Sequence, residues 1–200
     1  MSVRCSPGVP PAGTPQRIFG YASLVDGTGA GIPARLPGFR RVFGVAMDNA
    51  RAIAGYKVYR ERTGGRRPGV YVAFLDVVAD PSASVNGLVR AVAEAELEEL
   101  DQRERNYDRV EVTDRIEGVE GRVWTYRGSA AGRARLRRGR AEGRAVVARD
   151  YLERVRAGFA ALGPAAERDF VASTDLDALP LADLERIDLP PPHLPGRGET

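Results

Sequence analysis

Apolar residues recur along this chain in two periods, and the switches between them mark its elements. Val70–Val78 (VYVAFLDVV) is β-branched and aromatic throughout and predicts a strand. Asp80-Pro81-Ser82 ends it, and Val85–Val92 predicts a second strand with Gly87 inside it. The two together predict a hairpin, and their apolar runs predict a sheet covered on both faces. Ile18–Tyr21 predicts a short strand entering an Ala22-Ser23-Leu24 turn, and Phe39–Met47 predicts another strand. Residues 26–38, with Pro33 and Pro37, read as a loop holding at most one helical turn. Residues 48–69 read as a loop or short strand followed by a turn at Thr63-Gly64-Gly65. Val110–Val112 and Arg122–Tyr126 predict two further strands around a Glu117-Gly118 turn.

The helical period is clearest over Ala93–Arg103, where Ala, Glu and Leu are strong helix formers. Ala93, Leu97 and Leu100 fall on one stripe. A second helix is predicted over Ala148–Leu162, with Tyr151, Leu152, Val155 and Phe159 inward and Gly163-Pro164 ending it. The basic segment 128–144 reads as a loop, and Leu179–Ile187 as a short helical stretch. Pro and Gly interrupt residues 1–16, which read as a flexible leader, and the tail from Leu189 onward reads as mobile. The chain thus divides into a leader (1–16), one domain (17–165) and a partly mobile C-terminal extension (166–200).

Two hundred residues suit one domain with a real core. The apolar share is 43%, and no run approaches 18 uninterrupted apolar residues, so no membrane span is expected. The N-terminus lacks the apolar core of a signal peptide. A single cysteine, Cys5, fits a reducing compartment, and a cytoplasmic location is expected. The single histidine, His193, lies between Pro192 and Leu194. These counts exclude a Ser-His-acid triad and zinc sites built on histidine and cysteine. No metal or cofactor is expected, and acid–base chemistry would come from a carboxylate, a tyrosine or backbone groups.

Thirty basic residues face 27 acidic ones, and Lys57 is the only lysine. Arg133, Arg135, Arg137, Arg138, Arg140 and Arg144 form a dense cluster. No aromatics interleave it as in a stacking platform, so it reads as a solvated face rather than a nucleic-acid surface.

Extending the stripe Ala93, Leu97, Leu100 by four residues lands on Glu104. A carboxylate in that register points to the core side of the helix, where partial burial raises its pKa toward that of a useful general base. Read alone, it could equally be a helix-end residue paired with Arg105, Arg109 or another arginine. Tyr107 could share its wall. Trp124 and Tyr126 alternate on one strand and share a face, each reading by itself as a core or boundary aromatic.

Phe19-Gly20-Tyr21-Ala22-Ser23-Leu24 resembles the opening Tyr-Gly-Ser-Leu signature of the gamma-glutamylcyclotransferase-like (AIG2-like, ChaC-related) family. Leu100-Asp101-Gln102-Arg103-Glu104, followed by Tyr107, resembles the segment that carries that family's catalytic glutamate. The resemblance spans residues 17 to 165 and includes Val85-Asn86-Gly87-Leu88 and the late helix from Tyr151-Leu152. It implies a small α+β fold with a mixed, barrel-like sheet, packed helices and a central cavity. It also implies a small-molecule gamma-glutamyl substrate, cleaved by attack of its own α-amine to release 5-oxoproline and an amine. Glu104 would be the catalytic base, and Tyr21, Ala22, Ser23, Leu24, Tyr107 and Tyr126 would bind substrate. Ala22 stands where the signature usually has glycine, which costs nothing if φ there is negative. The competing readings are a non-catalytic binding member of the same fold and an arginine-rich interaction domain for nucleic acid or protein.

Overall fold

The computed structural model describes residues 13–25, 31–176 and 178–191. Cys5, His193, most of the leader and residues 26–30 of the expected loop lie outside them. The strands are β1 (Gln16–Gly20), β2 (Ile32–Asp48), β3 (Lys57–Glu61), β4 (Tyr71–Ala91), β5 (Tyr107–Glu111), β6 (Arg122–Gly128), β7 (Ala145–Ala148), β8 (Leu181–Ala182) and β9 (Leu184–Asp188). The helices are α1 (Glu94–Arg103), α2 (Ala130–Ala141), α3 (Arg149–Ala161) and α4 (Pro164–Ala172).

Two long antiparallel strands frame the molecule. β2 pairs with β4 from Ile32↔Val89 to Asp48↔Tyr71. The segments 70–78 and 85–92 are therefore not a hairpin: both pair with β2 and belong to one strand. The Asp80-Pro81-Ser82 signal is real but local. Asp80 accepts from the Ser82 N–H (3.1 Å) and hydroxyl (2.7 Å), and the ladder shifts register opposite, between Pro37 and Phe39. Gly38, at φ 78°, lets β2 follow the irregularity and continue. Residues 32–38, expected as loop, are accordingly strand.

The sheet runs β5-β6-β1-β4-β7-β8, with β2 along β4. One end of β4 carries β1 and the other carries β7, so the mixed sheet curls into a half-barrel with helices packed on it. Alternation along β1 sends Phe19 into the main core and Ile18 into a smaller one with Val92, Leu97, Leu100 and Tyr126 beneath α1. Burying Leu97 and Leu100 contributes about 1.5–3 kcal/mol each and fixes the rotation of α1.

The segment 128–144, expected as a loop, forms α2. Ser129 caps it by accepting from the Gly132 N–H (3.1 Å), and Gly132, Leu136 and Gly139 make a narrow buried stripe. Several of its arginines are engaged within the fold. Arg133 donates twice to the fully buried Asp76 (3.0 and 3.1 Å), and Arg135 donates to the Ala46 carbonyl (2.8 Å) and to Asn106 (2.7 Å). The expected helix over Leu179–Ile187 is replaced by β8 and β9. Pro180 stands in that stretch, and β9 satisfies the exposed edge of β3 from Lys57↔Asp188 to Glu61↔Leu184. Among the described residues no helix is long and apolar enough to cross a membrane.

Candidate active site

β1 ends at Gly20, and the chain turns through Tyr21 to Val25, where the Val25 N–H donates to the Ala22 carbonyl (2.9 Å). Among the described residues none other than glycine has positive φ, so alanine at position 22 is unstrained. The N–H groups of Ala22, Ser23 and Leu24 have no partner among the described residues. α3 backs the turn. A Cβ on Gly158 would lie 1.9 Å from the Val25 carbonyl oxygen, so only glycine permits this approach.

Glu104 sits where α1 stops. Its N–H bonds to the Leu100 carbonyl (2.8 Å), and its own carbonyl accepts from the Tyr107 N–H (2.8 Å), reversing the chain into β5. Buried Asn106 holds this corner. Its carbonyl accepts from the Ser129 N–H (2.9 Å), its amide donates to the Tyr56 hydroxyl (3.2 Å), and its Oδ1 accepts from Arg135. The Glu104 carboxylate makes no hydrogen bond or ion pair among the described residues, so the arginine-paired reading does not describe it.

Two hollows meet at this carboxylate. An inner one of about 20 Å³ is lined by Tyr21, Ala22, Ser23, Leu24, Leu75, Glu104, Tyr107 and Tyr126. Every residue expected at the site is on that wall. An outer chamber of about 310 Å³ shares Ser23 and Glu104 and is otherwise walled by the start of β3, the end of α1, α3 and β9. The tyrosine hydroxyls brace the inner wall. Tyr21 donates to the Tyr126 carbonyl, Tyr107 to the Leu75 carbonyl and Tyr126 to Asp101, each at 2.7 Å.

Electrostatics single out two groups. Burial pushes the Glu104 carboxyl above its ordinary 4.5, against the opposing pull of Lys57, Arg103 and Arg186. Burial lowers the Lys57 ammonium from 10.5 to about 8, with Glu104 acting in the other direction. Tyr21, Tyr107 and Tyr126 are all raised, chiefly by burial, and stay protonated at neutral pH. Lys57, Arg154, Arg186 and Asp188 were not expected at the site. One signal did mark the first: it is the only lysine in an arginine-rich chain. The others arrive by tertiary contact alone. Among the described residues no group of three histidine, cysteine or acidic side chains could hold a metal ion.

Fold and pocket together define a small α+β half-barrel protein whose pocket opens at the end of its first strand. The chain belongs to the AIG2-like gamma-glutamyl cyclotransferase family, whose model matches residues 18–152. A solved structure described as a gamma-glutamyl cyclotransferase is 15% identical, covering 84% of this chain and 90% of its own, with a TM-score of 0.51. YkqA from Bacillus subtilis is 14% identical over 84% of this chain and 56% of its own, with a TM-score of 0.52. At such identities these two show the fold alone. No curated protein matches the chain.

Proposed function

We propose that this protein is a gamma-glutamyl cyclotransferase that opens a gamma-glutamyl amide by intramolecular attack. The observation that carries the reading is a half-buried carboxylate, free of any ion pair among the described residues, in one hollow with an undercommitted strand-end turn. The substrate supplies its own nucleophile, so neither serine, cysteine nor metal is required. Holding the α-amine against the γ-carbonyl is a proximity task. The nitrogen–carbon bond closes a five-membered ring while Glu104 removes a proton from the attacking amine. Glu104 then delivers that proton to the leaving nitrogen as its bond to the carbonyl carbon breaks. The products are 5-oxoproline and a free amine. The N–H groups at Ala22 to Leu24 would stabilise the developing oxyanion or hold the glutamyl carboxylate. Ser23 is a positioning group, since no histidine among the described residues could activate it.

The test is to incubate the protein with gamma-glutamyl dipeptides, glutathione and gamma-glutamyl amines and to assay 5-oxoproline. At least one substrate should be turned over, and Glu104→Gln should lower the rate by roughly 10²–10⁴-fold, the usual contribution of a general base. No product across the panel, or full activity in Glu104→Gln, refutes the reading. Retained ligand binding without product would mark a binding member of the same fold.

A further inference from the structure

Strand β4 separates the candidate active site from a larger chamber. Successive strand residues face opposite sides of a sheet, and here Leu75 lines the inner hollow while Asp76 lines a chamber of about 770 Å³. β2, β4, α2 and the stretch that follows α4 wall it. Its size falls within the span of small-molecule pockets, roughly 300–1,000 Å³.

Among the described residues five arginines line this chamber, Arg40, Arg41, Arg133, Arg137 and Arg140, against two acids, Asp76 and Asp175. The surplus is three positive charges. α2 supplies Arg133, Arg137 and Arg140 at successive turns of one helix face, where like charges repel one another. Asp76 answers only Arg133, at 3.0 Å, and its other oxygen is taken by the Gly128 N–H at 2.6 Å. Arg137 has no hydrogen-bond or ion-pair partner among the described residues. Arg140 reaches only the Phe43 carbonyl at 3.5 Å, and Arg40 stands 3.7 Å from Asp80, outside the lining.

Behind these groups lies a buried cation. Arg41 is 2% exposed, and its guanidinium donates only to neutral groups: the hydroxyls of Ser173 (3.0 Å) and Thr174 (3.1 Å) and both oxygens of Asn86 (2.5 and 3.0 Å). Its Nε is buried without a hydrogen-bond partner among the described residues, and its guanidinium carbon lies 5.0 and 4.8 Å from the Phe159 and Phe170 ring centroids. Burial lowers its pKa from 12.5 to about 9. A buried charge without a counter-ion is costly, and an anion in the chamber offsets part of that cost.

Guanidinium groups arriving from β2 on one side and α2 on the other suit a polyvalent oxyanion, since each planar fork grips two of its oxygens. One phosphate brings about −1.5 to −2 at neutral pH, which falls short of the surplus, whereas two linked phosphates meet it. Val42, Phe43 and Leu136 give an organic body an apolar floor. Single-stranded nucleic acid calls instead for exposed rings on which bases stack, and Phe43, the one aromatic in this lining, is buried.

We propose that this chamber is a second binding site, for a small molecule carrying a di- or triphosphate, gripped by Arg40, Arg137 and Arg140 in front of the buried charge of Arg41. The site uses no residue of the candidate active site and does not depend on the cyclotransferase reading.

The experiment is calorimetry of the whole chain with pyrophosphate, ADP, citrate and a short single-stranded oligonucleotide, without added metal and at fixed ionic strength. Pyrophosphate and ADP should bind, and more tightly than citrate or the oligonucleotide. Arg137 and Arg140 are exposed, so their replacement should leave the urea melt unchanged. Arg137→Gln and Arg140→Gln should each weaken binding by roughly tenfold, as for the loss of a charge-assisted hydrogen bond. Arg186→Gln, which alters the basic chamber beside Glu104, should leave the affinity unchanged. Failure of both phosphates to bind, or an affinity unaltered in Arg137→Gln and Arg140→Gln together, overturns the proposal. So does equal binding of citrate or the oligonucleotide, or a loss of binding in Arg186→Gln.

Discussion

Replacing Lys57 by methionine should stabilise this protein at neutral pH. Burial lowers the ammonium from 10.5 to about 8, so the folded state binds that proton less tightly than the unfolded chain does. Each pH unit over which the two states differ by one proton is worth about 1.4 kcal/mol, which sets a ceiling of ~3 kcal/mol on the cost of the charge. Two terms reduce the gain. The contacts with the Phe74 and Tyr56 rings disappear, at about 0.5–1 kcal/mol, and Glu104 loses the cation that most opposes its raised pKa. A net gain of about 1–2 kcal/mol remains, or roughly 2–8 °C in Tm for a chain of this size. The sign has a pH signature. Below about pH 8 both states carry the proton and the penalty is constant. Between about 8 and 10.5 the folded state sheds it first, the unaltered protein gains stability, and the gap to the variant closes. Urea melts of both proteins near neutral pH and near pH 10, at equal ionic strength, measure this. A variant less stable at neutral pH, or a gap of equal size at both, refutes the reasoning.

Other outcomes are expected. The rate of 5-oxoproline formation should rise with pH through the Glu104 pKa, which burial holds above 4.5, so the acid limb lies above the usual carboxylate range. Gly158→Ala puts a Cβ 1.9 Å from the Val25 carbonyl oxygen, so α3 or the turn must move. A loss of about 1–3 kcal/mol in denaturant melts is expected, with lower turnover in the fraction that stays folded. Asp76→Asn weakens an acceptor that is fully buried, holds the Gly128 N–H at 2.6 Å and pairs with Arg133. Arg133 is about a third exposed, so water partly replaces its partner and the expected loss is about 1–3 kcal/mol by urea melt.

Elements whose pattern is local were legible from residues alone. α1 followed from its Leu97–Leu100 stripe, and the same register put Glu104 on the inward side, because a helix repeats its faces every three to four residues. α3 followed from Tyr151, Val155 and Phe159 for the same reason. β1 and its turn were equally readable. Where the reading failed, the deciding interaction was remote. Nothing within Val70–Val92 says that both halves pair with β2 rather than with each other. α2 hides behind its arginines, since its buried stripe is mostly glycine and reveals itself only against the sheet. Leu179–Ile187 became strand because β3 needed an edge partner more than 100 residues away in the chain.

The site divides along the same line. The sequence by itself pointed to the inner half of the candidate site, a strand-end turn and a carboxylate in helical register, since each is a local motif of a family pattern. It also retained one lysine among many arginines, without saying why. Tertiary structure alone decided the outer half. β9 returns beside β3, α3 closes the far wall, and Lys57 meets Arg186 and Glu104 across spans of chain that no periodicity encodes. The physical reason is that a local pattern fixes which face a side chain occupies, whereas the charge that answers it depends on which distant face arrives.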